Sequence, residues 1–185
     1  MTTFWWVRHG PAHQKTFTGW RDVPADLSDR AALDRLARYL PQGALVISSD
    51  LRRSVATADA IQRGRRRLPH DPDLREFHFG DWDGKHFTEV AISDPELSRA
   101  YWEDPGHHAP PGGESWFQSE ARVTRAVARL PKAQDIILVA HFGVILTQLR
   151  LALGVSPHQV LAQKIDNLSV TRIAPNDVGP VNHLA

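Results

Sequence analysis

Short apolar runs alternate along the chain with segments in which apolar residues recur every three or four positions. Phe4 to Val7, residues 44–48 and residues 135–140 are mostly apolar, which is typical of buried strands. Weaker strand patterns lie at residues 71–74 and 169–173. The helical spacing predicts helices over 29–40 (with Ser28 as N-cap), 51–62, 94–102, 116–130 and 144–153, and one from Pro157 with Ser156 as N-cap. This alternation predicts a mainly parallel sheet with helices on both faces.

Residues 76–113 are the least regular part of the chain. Glycine and proline interrupt the segment repeatedly, and only the helix near residues 94–102 is predicted within it. Irregular segments of this length in a compact domain are often lids or binding loops. We therefore expect one domain over residues 1–185, in which residues 77–113 form an irregular, lid-like insertion over an active site.

Composition removes several classes of function. The net charge is +1, so no bulk field favours nucleic acid or an anionic membrane surface. The chain has no cysteine, which excludes disulfides, thiolate metal sites and cysteine nucleophiles and fits a reducing cytoplasm. No apolar run is long enough to span a membrane, and no signal peptide is predicted at the N-terminus. We expect a cytoplasmic protein without nucleic-acid or membrane partners.

Polar side chains follow three of the predicted strands directly. Arg8-His9-Gly10 ends the first strand, Ser48-Ser49-Asp50 ends the second and leads to Arg53, and His141 follows the strand at residues 135–140. The carboxyl ends of parallel strands share one edge of a sheet, and ligands of α/β proteins bind at that edge. We therefore expect these groups to converge.

Two arginines and two histidines at one site suit a phosphoryl group. The guanidinium fork matches phosphate oxygens. Its charge also holds a nearby histidine neutral, with one ring nitrogen free to attack phosphorus. The same charges stabilise the equatorial oxygens of a phosphoryl group in transfer. The alcohol that leaves then needs a proton, which a carboxylic acid can donate.

Five short motifs occur in order between residues 4 and 145. They are Arg8-His9-Gly10; Ser49-Asp50-Leu51-Arg52-Arg53 with Thr57-Ala58; Leu74-Arg75-Glu76 with Phe79-Gly80-Asp81-Trp82-Asp83-Gly84; Gly112-Gly113-Glu114-Ser115; and Val139-Ala140-His141-Phe142-Gly143-Val144. In this order the motifs resemble those of the histidine phosphatase (phosphoglycerate mutase-like) superfamily. The resemblance implies a three-layer α/β/α sandwich with a mainly parallel central sheet, no cofactor and no metal ion.

The resemblance also implies a role for each residue of the site. His9 would be the nucleophile that becomes phosphohistidine, and Arg8, Arg53 and His141 would bind the phosphoryl group. Glu76 would donate a proton to the leaving group and later serve as the base for the attacking water. These five residues are the predicted catalytic set.

The chain departs from the family pattern near both histidines. Some branches place an aspartate directly after the second histidine, where this chain has Phe142, so Glu76 is the better candidate for the acid. After the Arg-His-Gly motif stand Pro11 and Ala12, and Lys15 stands where the family has an asparagine. The amide contact to phosphate is then either replaced by the Lys15 cation or lost.

Two segments separate the mutases from the phosphatases of this superfamily. Phe17-Thr18-Gly19-Trp20 resembles a mutase segment, which makes Thr18 and Gly19 candidate substrate-binding residues. After the acid, however, the mutases carry an arginine and a tyrosine that clamp an acidic substrate, whereas this chain has Phe77 and Phe79. Without that clamp the phosphohistidine is open to water. The resemblance thus implies metal-independent hydrolysis of a small phosphorylated metabolite, as in α-ribazole phosphatases.

Several alternatives stay open at this stage. Phosphoglycerate mutase-type phosphoryl transfer and a non-catalytic phosphoester-binding role are both compatible with the motifs. A metallo-hydrolase is disfavoured because His70 and His107-His108 lack metal-ligand spacing. Glu114 is either a partner of the pocket or a favourable charge at a helix start. The aromatic residues of 77–113 either contact substrate or only pack, and the oligomeric state is open, a homodimer included.

Overall fold

A five-stranded mixed sheet forms the centre of the computed structural model, which describes residues 1–185. The strands are β1 (Thr3–Arg8), β2 (Leu45–Ser48), β3 (Asp135–Ala140), β4 (Val170–Ala174) and β5 (Asp177–Val178), in the order β2-β3-β1-β4-β5. β1 and β2 pair in parallel with β3, β4 pairs antiparallel with β1, and β5 pairs antiparallel with β4. All strands except β4 therefore run in one direction, and the mainly parallel sheet is confirmed.

β1 is a central strand because both of its faces are covered. Trp6 and Val7 are adjacent in sequence and therefore point to opposite faces of the sheet. Both are fully buried, each in a different apolar cluster. A strand buried on both sides needs apolar residues at successive positions, which explains the continuous apolar run that precedes Arg8.

Helices cover both faces of the sheet. They are α1 (Arg30–Tyr39), α2 (Arg52–Ile61), α3 (Phe87–Ser93), α4 (Pro95–Glu103), α5 (Trp116–Ala128), α6 (Phe142–Leu153) and α7 (Pro157–Leu161). α1 and α2 pack on the Val7 face through Leu36 and Ile61, whereas α5, α6 and α7 pack on the Trp6 face. The three-layer α/β/α sandwich is confirmed. None of these helices combines the length and apolarity needed to cross a membrane.

The N-cap of the first helix lies one residue later than predicted, and the helix begins at Arg30. The N-cap is Asp29, whose carboxylate accepts the Ala32 N–H at 2.9 Å. The Ser28 N–H instead donates to the Asp26 carboxylate at 2.9 Å, which holds Ser28 in the preceding turn. The prediction of Ser28 as N-cap was wrong because two neighbouring residues could both cap, and the carboxylate took the position.

Residues 71–74 do not form an edge strand. Pro72–Leu74 is a single turn of 3-10 helix, and the Asp71 carboxylate caps it by accepting the Asp73 N–H at 2.9 Å. A bridge to β2 forms earlier, between Arg67 and Val46. The hydrogen bond between the Asp71 carboxylate and the Asp73 N–H thus stabilises a turn where the weak apolar pattern predicted a strand. At the other end of the chain, Asp177–Val178 pairs with β4 as the short strand β5.

Residues 77–113 are more regular than predicted, because they hold α3 and α4 as well as the 3-10 turn Gly80–Trp82. Trp82, Val90 and Tyr101 form a small apolar cluster of their own. Gly80 has φ +51°, and a Cβ there would lie 2.1 Å from the Pro111 carbonyl oxygen, so this close crossing requires glycine. The segment is thus a compact unit against the sheet edge.

Candidate active site

His9 and His141 follow neighbouring parallel strands and meet at the carboxyl edge of the sheet. β1 and β3 are paired so that Arg8 lies opposite Ala140. The His9 N–H extends this ladder by donating to the Ala140 carbonyl at 3.1 Å. The two imidazole rings lie 5.1 Å apart, centroid to centroid. The register of the sheet therefore brings the two predicted histidines together.

The two ring nitrogens of His9 differ in protonation. Nδ1 lies 2.7 Å from the Gly10 carbonyl oxygen, and since a carbonyl only accepts, the proton is assigned to Nδ1. Nε2 keeps its lone pair and accepts the Arg53 Nε–H at 3.3 Å. Burial and the charge of Arg53 lower the pKa of His9 to about 3. The ring is therefore neutral at neutral pH.

The turn after β1 is held from both sides. The Gly10 N–H donates to Thr57 Oγ1 on α2 at 2.9 Å, and Asn167 Nδ2 donates to the His9 carbonyl at 2.8 Å. A Cβ on Gly10 would lie 2.6 Å from the Leu27 side chain and 3.2 Å from the Asp26 carbonyl. A larger residue at this position would have to displace the Leu27 side chain, and the two hydrogen bonds hold the backbone that carries His9 in place.

His141 is fully buried at the start of α6. Its Nε2 lies 2.7 Å from Ser49 Oγ and 3.2 Å from Ser54 Oγ, whereas its Nδ1 has no hydrogen-bond partner in the protein. Burial, followed by the charge of Arg53, lowers the pKa of His141 well below its usual value. The two imidazoles are thus both neutral at neutral pH.

Backbone carbonyls hold the two guanidinium groups at the site. Arg53 is buried in the first turn of α2 and donates to the carbonyls of Arg21 at 3.0 Å and Gly19 at 2.7 Å. Arg8 donates to the Ile165 carbonyl at 2.6 Å. Its guanidinium also lies 5.4 Å from the centre of the Phe142 ring, where some family branches carry a carboxylate.

Glu76 presents a buried carboxyl group to the same cleft. Its oxygens accept the Phe77 N–H at 3.0 Å and the Gly143 N–H at 3.2 Å. A Cβ on Gly143 would lie 2.7 Å from Glu76 Oε1, so glycine at this turn of α6 lets the carboxyl approach. Burial raises the pKa of Glu76, against the lowering effect of the two N–H donors and of Arg53. A raised pKa suits a proton donor.

Arg122 on α5 fixes the backbone that carries Glu76. Its guanidinium donates to the carbonyls of Asp73 at 2.7 Å, Arg75 at 2.9 Å and Glu76 at 3.1 Å. The same group pairs with the Glu114 carboxylate at 2.7 Å. Of the two alternatives for Glu114, the structure therefore favours the partner of the pocket, because Glu114 orients the arginine that supports Glu76.

A cleft of about 420 Å³ opens over this edge of the sheet. Arg8, His9, Arg53 and Glu76 line it, and so do the candidate Thr18 and the aromatic residues Phe17, Phe79, Trp102 and Phe142. His141 is buried beside His9 and does not line the cleft itself. Four of the five predicted catalytic residues thus share one cavity, and the ring of the fifth, His141, lies 5.1 Å from the ring of His9, centroid to centroid.

The remaining predicted substrate-binding residues are placed differently. Gly19 supports Arg53 through its carbonyl oxygen, as described above. Lys15 is exposed and lies outside the cleft, in a neighbouring surface recess with Phe87. The loop turns at His13, which has φ +52° and pairs with Asp26, and the following residues run along the rim. Lys15 therefore does not take the position of the family's asparagine at the cleft.

Two supporting residues were missed in the sequence. Asn167 lines the cleft and bonds to the His9 carbonyl, but it precedes β4 and lies beyond the last motif. Arg122 lies in α5, where an arginine is indistinguishable from a solvated helix residue. Ser49, which contacts His141, and Thr57, which accepts the Gly10 N–H, both lie within the second motif. Their presence in that motif was the signal that could have identified them.

The histidines considered for a metal site are dispersed. No group of three or more His, Asp or Glu side chains is close enough to hold a metal ion. His70 Nδ1 lies 3.2 Å from Ser48 Oγ, and His108 pairs with Asp104 at 3.7 Å. The cluster of chemical groups at the sheet edge is thus composed of imidazoles, guanidinium groups and one carboxyl.

Comparison with known proteins shows what this chain is similar to in sequence and fold. The family model of the histidine phosphatase superfamily (branch 1) matches residues 4–184. A glucosyl-3-phosphoglycerate phosphatase from Mycolicibacterium vanbaalenii is 35% identical over 175 residues, covering 84% of this chain and 76% of that protein. An adenosylcobalamin/alpha-ribazole phosphatase from Salmonella typhimurium is 30% identical over 151 residues, covering 76% and 74%. The structure of Bacillus stearothermophilus YhfR matches with a TM-score of 0.85 at 26% identity, over 97% of this chain and 95% of that one.

Proposed function

The chain belongs to the histidine phosphatase superfamily, as its motifs predicted, and from this premise we propose that it hydrolyses small phosphomonoesters through a phosphohistidine on His9. One observation carries the proposal. His9 Nε2 bears a lone pair beside the buried Arg53, in a cleft also lined by Glu76, whose pKa burial raises. Nucleophile, cation and acid are thus together in one cavity of suitable size for a small phosphorylated molecule.

The reaction proceeds in two steps. In the first, the Nε2 lone pair of His9 attacks phosphorus, the ester P–O bond breaks, and the Glu76 carboxyl gives its proton to the leaving alcohol oxygen. In the second, a water attacks the phosphohistidine, the Glu76 carboxylate takes a proton from that water, and the P–N bond breaks. Phosphate leaves, and both side chains return to their starting protonation states.

The phosphoryl group is bound by Arg8, Arg53 and His141 in this proposal. The two guanidinium groups are held by backbone carbonyls and offer charge without reorganisation. If the Ser49 hydroxyl donates to His141 Nε2, the proton of the neutral ring lies on Nδ1. That Nδ1 has no partner in the protein, so it is the donor we assign to a phosphoryl oxygen.

Hydrolysis, rather than mutase-type transfer, is supported by the walls of the cleft. The relatives described above are named as phosphatases. Phe79 lines the cleft where the mutases carry a tyrosine, and Phe77 stands where they carry an arginine. These two apolar side chains cannot clamp an acidic substrate while the phosphohistidine forms. Water can therefore reach the phosphohistidine and complete the hydrolysis.

Residues 77–113 form the cover of the site in this proposal. Phe79 and Trp102 of this segment line the cleft, and on the opposite rim Thr18 lines it as well. We assign the cover to the same domain as the sheet, because Phe79 packs against both the cover's own apolar cluster and the cluster on the Trp6 face of the sheet. We assign to Thr18 a contact with the substrate and to Gly19 the support of Arg53.

Phosphate release from a panel of phosphorylated metabolites tests the proposed function. We expect hydrolysis in the presence of a chelator, and loss of hydrolysis in His9→Ala, because Nε2 is the attacking atom. The panel includes 3-phosphoglycerate, with an assay for isomerised product that would reveal mutase activity. Turnover by His9→Ala at the unmodified rate, or activity that needs an added divalent ion, would contradict the proposal.

A further inference from the structure

A second, smaller recess adjoins the carboxyl group of Glu76. Its volume is about 60 Å³, and apart from Glu76 its walls are mainly aromatic and aliphatic. They include Phe77, Phe79, Trp102 and Leu161. No lysine or arginine lines the recess, and Tyr101 and His108 are its further titratable residues. A carboxylate or a second phosphate bound here would meet the Glu76 carboxyl and no cation, so the recess disfavours anions.

The recess and the main cleft are neighbours with a common wall. Glu76, Phe79, Trp102 and Phe142 line both cavities. Both guanidinium groups of the site, Arg8 and Arg53, line the main cleft alone. The charged and apolar parts of a ligand are therefore separated at Glu76, the residue that would protonate the bridging oxygen of a phosphomonoester.

We propose that the recess binds an uncharged, apolar part of the leaving alcohol, a short alkyl chain or a single ring. The proposal rests on the proposed function, because it places the leaving oxygen at Glu76. The phosphoryl group then lies in the main cleft, and the first carbons of the alcohol enter the recess. The protein should therefore prefer phosphate esters of apolar alcohols over phosphate esters of alcohols that carry a carboxylate.

The volume of the recess limits the size of this group. A cavity of about 60 Å³ exceeds the space of one water several-fold but is far smaller than the main cleft. Each added methylene should raise kcat/KM about 4-fold while it enters the recess, as expected for the transfer of one methylene out of water. The gain should stop once the recess is filled.

A series of ethyl, propyl, butyl and pentyl phosphates tests this inference. The alcohols of this series have nearly constant acidity, so chain length changes the apolar contact and not the leaving-group chemistry. We expect kcat/KM to rise with length, and phosphates of the same lengths that end in a carboxylate to be poor substrates. Alkylphosphonates, which are not hydrolysed, should show the same rise in affinity by calorimetry.

Leu161→Lys is the variant that separates the recess from the rest of the site. Leu161 is half-buried in α7 and lines the recess, so the ammonium group should flatten the chain-length dependence and favour the carboxylate-ended series. Leu151→Lys, at an exposed position of α6, is the matched control and should leave the chain-length dependence as in the unmodified protein.

The outcomes distinguish the two proposals. Release of phosphate at equal efficiency from every chain length, or identical effects of the two lysine variants, would overturn the recess and leave the phosphatase intact. Absence of phosphate release from all substrates would contradict the proposed function. In that case the phosphonate affinities still decide the recess, which a flat dependence of affinity on chain length would overturn.

Discussion

Groups that contact the ring and backbone of His9 hold it in the form that the proposed attack on phosphorus requires. The Gly10 carbonyl holds the proton on Nδ1, and Arg53 faces Nε2. With the pKa of His9 near 3, the ring stays neutral across the physiological pH range. In the proposed mechanism, the lone pair on Nε2 is therefore available throughout this range, and the proton for the leaving group comes from Glu76, whose pKa burial raises.

Replacing Glu76 with glutamine removes the proton donor and keeps the shape of the side chain. We expect kcat/KM for alkyl phosphates to fall by about 10²–10⁴, the usual contribution of a general acid. Nitrophenyl phosphate should lose much less, because nitrophenolate leaves without a proton. Steady-state rates for both substrates with the same preparation provide the measurement. A loss of equal size for the two substrates would contradict the role of Glu76.

Packing between α5 and the segment before Glu76 is the feature that matters at the scale of elements. Arg122 bonds three carbonyls of that segment and pairs with Glu114, and Trp20 Nε1 donates to the Glu76 carbonyl at 2.8 Å. Arginine is suited to this role because its fork presents several donors in one plane. The position of the proposed acid Glu76 therefore depends on α5, a helix that holds none of the five proposed catalytic residues.

Arg122→Lys tests that dependence. Lysine keeps the charge but cannot reproduce the planar set of donors, so we expect Glu76 to be displaced and kcat/KM for alkyl phosphates to fall by up to about 10². Nitrophenyl phosphate should again lose less. Arg125→Lys, at an exposed position of the same helix, is the control and should change neither rate. Equal losses for both substrates in Arg122→Lys would indicate a general structural role instead.

The elements with strong apolar patterns were predictable, and those decided by local polar bonds were not. β1, β3 and α6 have consistent patterns over their whole length, and they carry the two histidines. The turn at Pro72–Leu74 was mistaken for a strand because the Asp71 cap is a side-chain contact that periodicity does not register. α3 was missed because only Val90 of its residues is buried, which leaves no apolar stripe to detect.

The site as a whole is assembled from segments that are distant in sequence. The meeting of His9, Arg53 and His141 could be predicted, because parallel strands place their carboxyl ends at one edge. The contact of Asn167 with the His9 carbonyl spans 158 positions and depends on the return of the chain before β4. The position of Lys15 outside the cleft could not be predicted, because sequence spacing does not show the turn at His13. Contacts between side chains that only the tertiary fold brings together could thus not be predicted from the sequence.

Neutral, buried imidazole also affects the stability of the whole molecule. The pKa of His9 is about 3 in the folded protein against 6.5 for the free group. Below pH 6.5 the unfolded chain binds a proton that the folded chain does not, so the free energy of unfolding falls as the pH is lowered. The contribution of His9 to this slope is about 1.4 kcal/mol per pH unit until the folded-state pKa is reached.

His9→Gln should therefore flatten the dependence of stability on pH. Urea denaturation at several pH values between 6.5 and the acid limit of folding measures the free energy of unfolding of both proteins. We expect the variant to lose less stability per pH unit than the unmodified chain. His158→Gln, at an exposed position of α7, is the matched control. If the unmodified chain and His9→Gln lost stability in parallel as the pH is lowered, the buried neutral imidazole of His9 would not govern the response to acid.

The most direct test of the account is the capture of the phosphorylated enzyme. Rapid acid-free quenching of a reaction with a labelled phosphomonoester, followed by peptide mapping, locates the phosphoryl group. We predict label on Nε2 of His9, stable in base and lost in acid, formed within one turnover and absent in His9→Ala. Label on another residue, or full turnover without any phosphohistidine, would contradict the claim that His9 is the nucleophile.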